Sequence, residues 1–373
     1  MTLNTEKFQD LCKKILSAVD TDSALKNVIF GYDTVELYAH EKTLELNVTN
    51  GEYFVSVMLP LEEEASMRAV IEAKLFLTLI SKITTKTVEL TTDDKSLIVK
   101  ANGTYKFPLK FDVDSMVVLP KIAISNPTTE FTVDASILSS ILTNNSREID
   151  LDGIRPIQKL YYLDEQGCLT FTNSTACVNN FTLSQAIKVL LTPKVVKLFK
   201  LFSSGDVKLT LGYEEVGTVL QTRLSLAQNN VMITSILPNE QNSIASVPVS
   251  AIRGRANKSL EYSVSFDKKY FLEALDRILL FDTPNSMNKG VGVFEFGEDS
   301  VKIYDARKNN SEVVAYVNSS ITGTYSANLD LETIKSMLSL YDTQVFSMKF
   351  GDNQAVVLSY GNIKNVLSQK VIR

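Results

Sequence analysis

Histidine is almost absent from this 373-residue chain, with His40 the only one. Cysteine is scarce too: Cys12, Cys168 and Cys177 are an odd number without the paired spacing of a metal knuckle. These two shortages exclude zinc sites of the usual kind and leave reduced, mostly buried thiols as the expected state. No apolar run approaches the roughly 18 residues of a membrane span, and the opening "MTLNTEKFQD" has no signal-peptide architecture. An intracellular, cytoplasmic protein without a membrane partner is expected. A GxxxxGK segment is missing, and "GVG" at 290–292 precedes a strand-like run rather than a helix, so phosphate-loop chemistry has no support. "EEE" at 62–64 and "DVD" at 112–114 read as acidic loops rather than cation sites. His40, in the strand-like "ELYAHEKTLEL", reads as a surface or packing residue, and "RGR" at 253–255 as a solvated linker. Tyr161 and Tyr162 should divide between the two faces of a strand rather than form a stacking platform. No catalytic constellation emerges, so neither an enzyme nor a cofactor is expected.

What the chain does contain is 45% hydrophobic and 22% charged residues, the balance of a folded protein able to bury several cores. Its length predicts two or three domains. "EKFQDLCKKILSAV" (6–19) places Phe8, Leu11, Cys12, Ile15 and Val19 on one helical face. "IEAKLFLTLISKI" (71–83) does the same with Leu75, Phe76, Leu79, Ile80 and Ile83. Between and after them lie alternating runs broken by "TNG", "DD" and "NG", which read as strands and turns. The same order returns from "VDASILSSILTN" (133–144) and again from "SFDKKYFLEALDRILLF" (265–281), whose last pass holds a helix in "LDLETIKSMLSLY" (329–341). The period is roughly 130 residues, far beyond any solenoid repeat. Three similar α+β domains follow, at 1–124, 125–254 and 255–373. The connectors "PKIAISNPTTE" (120–130) and "SVPVSAIRGRANKSLE" (246–261) have linker composition.

Charge is sorted along this repeat. "LTPKVVKLFKLF" (191–202) has Pro193 at a first helical position, with Val195, Leu198, Phe199 and Phe202 on one side. Lys197 and Lys200 point to the other, Lys194 lies near the edge, and no acid balances them. Taken over 6–19, 71–86, 193–202, 267–281 and 329–341, the five charged helical segments together carry +5, so the rest of a chain of net charge −5 carries −10. Positive charge is therefore concentrated on helices, mainly in the first two repeats.

In order and spacing the sequence resembles the bacterial-type DNA sliding clamp, the β subunit that gives replicative DNA polymerase its processivity. "GIRPIQKLYYLDEQGCLTFTNSTACV" is similar to that family's Arg-Pro, strand and "ATDGHRL" stretch. "FLEALDRILLF" and "TGTYSANLDLETIKSML" match third-domain segments, and "KVIR" takes the place of the family's "MPMR" tail. The resemblance spans nearly the full chain. It implies a ring formed by a head-to-tail homodimer, each domain with two helices on the inner face and antiparallel sheets outside. It also implies sequence-independent binding of double-stranded DNA, and docking of polymerase and clamp loader through short peptide motifs. Inner-face lysines would attract phosphates without pinning the ring to any sequence. Lys74, Lys82, Lys194, Lys197 and Lys200 are the DNA-facing candidates, followed by Lys13, Lys14, Lys268 and Arg277. By position, the peptide cleft would use Thr172, Thr175, Cys177, Pro238, Val247, Val371 and Ile372. The dimer contact would set Ile278 and Leu279, Leu279 above all, against Phe107 or Phe111.

The sequence departs from the family after Thr172, where Asn173, Ser174, Thr175 and Ala176 replace Asp, Gly, His and Arg. Lys370 stands where the family has methionine. Divergence of this size suits a phage or mobile-element clamp with an altered peptide preference; the resemblance implies a nucleoid-associated cytoplasmic protein, in host cytoplasm if phage-encoded. Two other classes stay open: a structural protein of stacked α+β domains with no DNA role, and a hydrolase with a sparse active site. Salt-sensitive retention on circular but not linear DNA separates the clamp from both.

Overall fold

The computed structural model describes residues 1–20, 32–112, 115–152, 154–281, 288–352 and 354–372, without the side chains of 240–242. Val113 and Asp114 of the "DVD" run and Arg373 of the tail lie outside the described residues. The helices within them are α1 (Thr5–Leu16), α2 (Ala73–Ile80), α3 (Ala135–Asn144), α4 (Pro193–Lys197), α5 (Val249–Ala256), α6 (Lys268–Leu279) and α7 (Leu331–Ser339).

One local device recurs. Helices α1, α2, α3, α6 and α7 each start on the residue after a strand, so the strand's last residue is placed to cap the helix. Asn4, Asp267 and Asp330 accept from the backbone N–H groups of Lys7, Tyr270 and Thr333 at 3.1, 3.2 and 2.8 Å. Asp134 accepts from the Ser136 N–H at 2.7 Å, whereas Glu72 before α2 makes no side-chain cap. Each such cap satisfies an N–H that would otherwise have no partner in the first turn. This strand–cap–helix junction is the repeat in physical form.

The chain forms two compact units, residues 1–139 with 194–239 and residues 140–193 with 240–373. In the first, an eight-stranded antiparallel sheet runs in the order Pro127–Asp134, Asp206–Val216, Val219–Gln228, Val231–Ile236, Tyr53–Pro60, Thr43–Thr49, Thr34–His40, Met67–Glu72. A four-stranded sheet ends on Thr104–Pro108. Helices α1 and α2 pack together through Phe8 and Phe76, whose rings are 6.2 Å apart. Gln9 locks the pair by donating from Nε2 to the carbonyls of Ile80 and Ile83 at 2.9 and 2.8 Å.

In the second unit a nine-stranded sheet pairs Thr175–Asn180 with Ile363–Leu367, setting Ala176 opposite Val366 and Cys177 opposite Asn365. A four-stranded sheet ends on Ser311–Ala315. Val231–Ile236 with Tyr53–Pro60, and Thr175–Asn180 with Ile363–Leu367, are pairs between strands far apart in sequence. They join the middle repeat to the first in one unit and to the third in the other. Compactness therefore divides the chain differently from the three repeats.

The structure corrects several expectations. The stretch 246–261 is not simply a linker, because it contains α5 with Ile252 and Ala256 buried. Arg253 of "RGR" is not solvated: its guanidinium donates to both carboxylate oxygens of Asp164 at 2.6 and 2.8 Å. The helix expected over 71–83 ends at Ile80, and Leu75 is 58% exposed because the buried stripe is Ala73, Phe76, Leu77 and Ile80. The basic segment is α4, which buries Val196 as well as Val195, followed by a 3-10 turn, Leu198–Leu201, which buries Leu201 as well.

Gly290 has φ 71° in the turn before strand Val291–Phe296, and a Cβ on Gly292 would sit 2.4 Å from the Leu331 side chain. The "GVG" glycines are thus accounted for by a turn and by close packing. Cys12, Cys168 and Cys177 are free and buried, and burial pushes all three thiols up.

Candidate functional site

The first unit gathers most of the candidate cations. Lys74 is exposed in the first turn of α2, and Lys82 is exposed just beyond its end. Lys13 lies in the last turn of α1, exposed and 3.6 Å from Asp10, with Lys14 half-buried beside it. Lys194 forms an ion pair with Asp20 at 2.8 Å, which ties the start of α4 to the segment after α1. The start of α4 is thus close to the segment that follows α1, and α1 itself packs on α2. Lys197 and Lys200 are exposed and, like Lys74 and Lys82, have no carboxylate partner among the described residues. The second unit engages its two candidates internally. Lys268 donates from Nζ to the Tyr341 carbonyl at 2.5 Å, and Arg277 makes a two-pronged pair with Glu312 at 2.9 and 3.0 Å.

The second unit also contains a pocket of about 280 Å³. Phe171, Ala176, Ile252 and Val366 form its apolar floor, each 7 or 8% exposed. One wall is the turn from Thr172 to Thr175, folded on itself by its own side chains. Thr172 Oγ1 accepts from the N–H groups of Ser174 and Thr175 at 3.2 and 3.1 Å. The facing wall is α5, which contributes Pro248 at its N-cap, Ala251 and Arg255. The tail is pinned alongside, with the Ser368 N–H donating to the Ser174 carbonyl at 2.8 Å. A groove of about 760 Å³ lined by Lys258, Lys370, Val371 and Ile372 shares Arg255 and Ser368 with the pocket.

Thr172 and Thr175 line the pocket, and Val371 and Ile372 line the groove. Two further cleft assignments are corrected. Cys177 is fully buried on the opposite face of its strand, in the core around Phe346 and Tyr341, because neighbouring strand residues point to opposite faces. Val247 is buried in the same apolar cluster as the floor residues without lining the pocket, and its neighbour Pro248 lines it instead. Pro238 belongs to the first unit and is not among the pocket's lining residues. Phe171, Ile252, Val366 and Arg255 line the pocket without any local motif that marks them in the sequence. The strand parity that hides Cys177 is the signal that points to Ala176 and its cross-strand partner Val366.

Among the dimer candidates, Phe107 is a core residue, its ring 5.3 Å from that of Phe76. Ile278 is 2% exposed in the core of the second unit, and Leu279 is partly buried against the same core. The exposed apolar residues at the end of α6 are instead Leu280 and Phe281, 79% and 54% exposed; Phe111 is 44% exposed.

Behind the Thr172–Thr175 turn lies a buried carboxyl. Glu148 is fully buried, accepts a hydrogen bond from the Thr175 hydroxyl, and has no described partner for Oε1. Burial pushes its pKa up, against the Thr175 hydroxyl and the Arg147 charge, which pull it down. A raised folded-state pKa means that the stabilising, protonated form is fully present below the ordinary range near 4.3, and that stability is lost as pH rises through the folded value. Glu148→Gln removes this dependence. Urea midpoints measured between pH 4 and 8 should therefore move in the variant's favour, relative to the parent, as pH rises; a constant difference would mean that the carboxyl titrates normally.

His40 contacts Glu45 at 3.1 Å and stacks by Tyr38. No group of three or more His, Cys, Asp or Glu placed to hold a metal is found among the described residues. No described helix is long and apolar enough to cross a membrane.

Antiparallel sheets and strand-capped helices make this an α+β protein. The fold is that of the bacterial DNA sliding clamps. The DNA polymerase sliding clamp from Pseudomonas aeruginosa matches at TM-score 0.80 and 14% identity, covering 100% of this chain and 99% of that one. The DNA polymerase sliding clamp from Bacillus subtilis matches at 0.78 and 14%, with the same coverage. The beta subunit from DNA polymerase of Streptococcus pyogenes matches at 0.77 and 14%, covering 99% of both chains. No family model and no curated protein matches the sequence.

Proposed function

We propose that this protein is a DNA sliding clamp. Two chains, each of three domains (1–124, 125–254 and 255–373), close head to tail into a ring around duplex DNA. The ring tethers a replicative polymerase, performs no catalysis and works in the cytoplasm on nucleoid or phage DNA. The observation that carries this reading is the clamp fold over the whole chain, coupled to unpaired lysines on and beside the helical segments of the first unit of an otherwise acidic protein. Lys197, Lys200, Lys74 and Lys82 supply phosphate contacts that carry no sequence information. Polymerase and clamp loader dock by short peptide motifs in the pocket walled by Thr172 and Thr175 and in the groove beside Val371 and Ile372.

Closure draws on two open sheet edges, Thr104–Pro108 in the first unit and Ser311–Ala315 in the second. Joining them between chains gives two equivalent interfaces and leaves no free edge at either. Val313 on the second edge is 64% exposed, and Leu280 and Phe281 add apolar surface from the same unit.

The test is the salt dependence of DNA binding. Lys197→Ala with Lys200→Ala should flatten the slope of log K against log salt by about 1 for each phosphate no longer neutralised. Stability should hold, because both side chains are exposed. The parent should stay on nicked circular duplex and run off linear duplex. An unchanged slope would remove the α4 segment from the DNA-facing surface, and equal dissociation from both DNA forms would refute encirclement.

A further inference from the structure

We propose that the pocket and its adjoining groove select an acidic peptide, in which carboxylates lie beside the apolar side chain that fills the pocket. This deepens the clamp reading and rests on it. The chain has 43 acidic against 38 basic residues, yet neither cavity has an Asp or Glu in its lining. Four cations line them instead: Arg155 and Arg255 at the pocket, and Arg255, Lys258 and Lys370 at the groove. Arg155, Arg255 and Lys258 are exposed and have no carboxylate partner among the described residues. Lys370 is 3.6 Å from Asp330, a loose contact that leaves its ammonium open to a second acid.

Helix α5 divides its charges cleanly. Arg253 is committed to Asp164 on one side, while Arg255, two residues on, stands free at the point where pocket and groove meet. A guanidinium in that position offers a planar fork that matches a carboxylate with two parallel hydrogen bonds. The apolar floor of Phe171, Ala176, Ile252 and Val366 argues for a peptide over a nucleic-acid phosphate, which has no use for a buried apolar cavity. At about 280 Å³ the pocket suits one or two apolar side chains, and the groove continues past Arg255 along the tail. Within a Debye length of about 8 Å at physiological salt, the pooled charge also favours the encounter of an acidic segment.

Three fluorescein-labelled nonapeptides sharing one Leu-Phe anchor, flanked by Asp, Asn or Lys, decide the matter by anisotropy with the full-length protein. The Asp peptide should bind about tenfold tighter than the Asn peptide at low salt, the Lys peptide weakest, and the gap should close as salt rises. Arg255→Glu with Lys258→Glu should invert the order, so that the Lys peptide binds best. Both positions are exposed, so this variant should melt like the parent. Equal affinity for the three peptides, or an order the charge reversal leaves unchanged, overturns the acidic preference. Binding of none of them at millimolar concentration overturns it as well. The clamp reading is judged separately, by retention of the same protein on circular DNA.

Discussion

Leu280→Lys combined with Phe281→Lys should yield a folded monomer that cannot stay on circular DNA. Leu280 and Phe281 follow α6 and are 79% and 54% exposed, so neither contributes much to the core. Lysine there is also well placed locally, because a cation at a helix C-terminus opposes the negative end of the helix dipole. In the proposed closed dimer the same positions would lie against a second chain. An unpaired ammonium buried at each of two equivalent interfaces costs roughly 3–5 kcal/mol at each. That is enough to shift the equilibrium to monomer at sub-micromolar concentration. Sedimentation velocity should show the mass halved, with the melting transition kept. Ile278→Lys is the contrasting control: at 2% exposure in the core it should unfold the second unit rather than split a dimer. A double variant that still sediments as a dimer would move the interface away from the end of α6.

The contrast between Ile278, Leu279 and Leu280 shows how far local pattern reaches. The core face of α6 is legible, because Phe271, Leu275 and Ile278 recur at helical spacing and are all buried. Which residue beyond that face remains exposed depends on where the helix ends, and one residue there rotates the choice by about 100°. The same limit applies to "TYKFPLKF": alternation separates the two faces of the strand but does not say which one the Phe76 ring covers. The repeat was legible because strand-to-helix junctions leave periodic marks. Cys177 is not legible for the opposite reason, since its strand is buried on both faces and apolar character there does not discriminate. The partner of Arg253 was beyond local reading altogether. Asp164 lies 89 residues earlier, and only the packing of α5 on the sheet brings them together.

That pair carries the other large effect, and Arg253→Met is its test. The Asp164 side chain is 4% exposed, and it accepts from both guanidinium nitrogens as well as from the Gln166 N–H at 2.9 Å. Methionine preserves much of the stem's packing but leaves the carboxylate buried without its cation, a destabilisation of roughly 3–5 kcal/mol. Lysine should rescue only part of this, because a point charge cannot reproduce the two-pronged geometry. Asp164→Leu added to Arg253→Met removes the stranded charge and should recover most of the stability, which a double-mutant cycle on the urea unfolding of the second unit would measure. The functional consequence is specific. Helix α5 buries only Ile252 and Ala256, so the ion pair is a main tether for the wall that presents Pro248, Ala251 and Arg255 to the pocket. Arg253→Met should therefore weaken peptide binding while leaving the salt slope of DNA binding unchanged, since the lysines proposed to contact DNA belong to the first unit. A variant within about 1 kcal/mol of the parent would show that Asp164 is satisfied without Arg253. Full destabilisation with unaltered peptide affinity would show that α5 holds its place by packing alone.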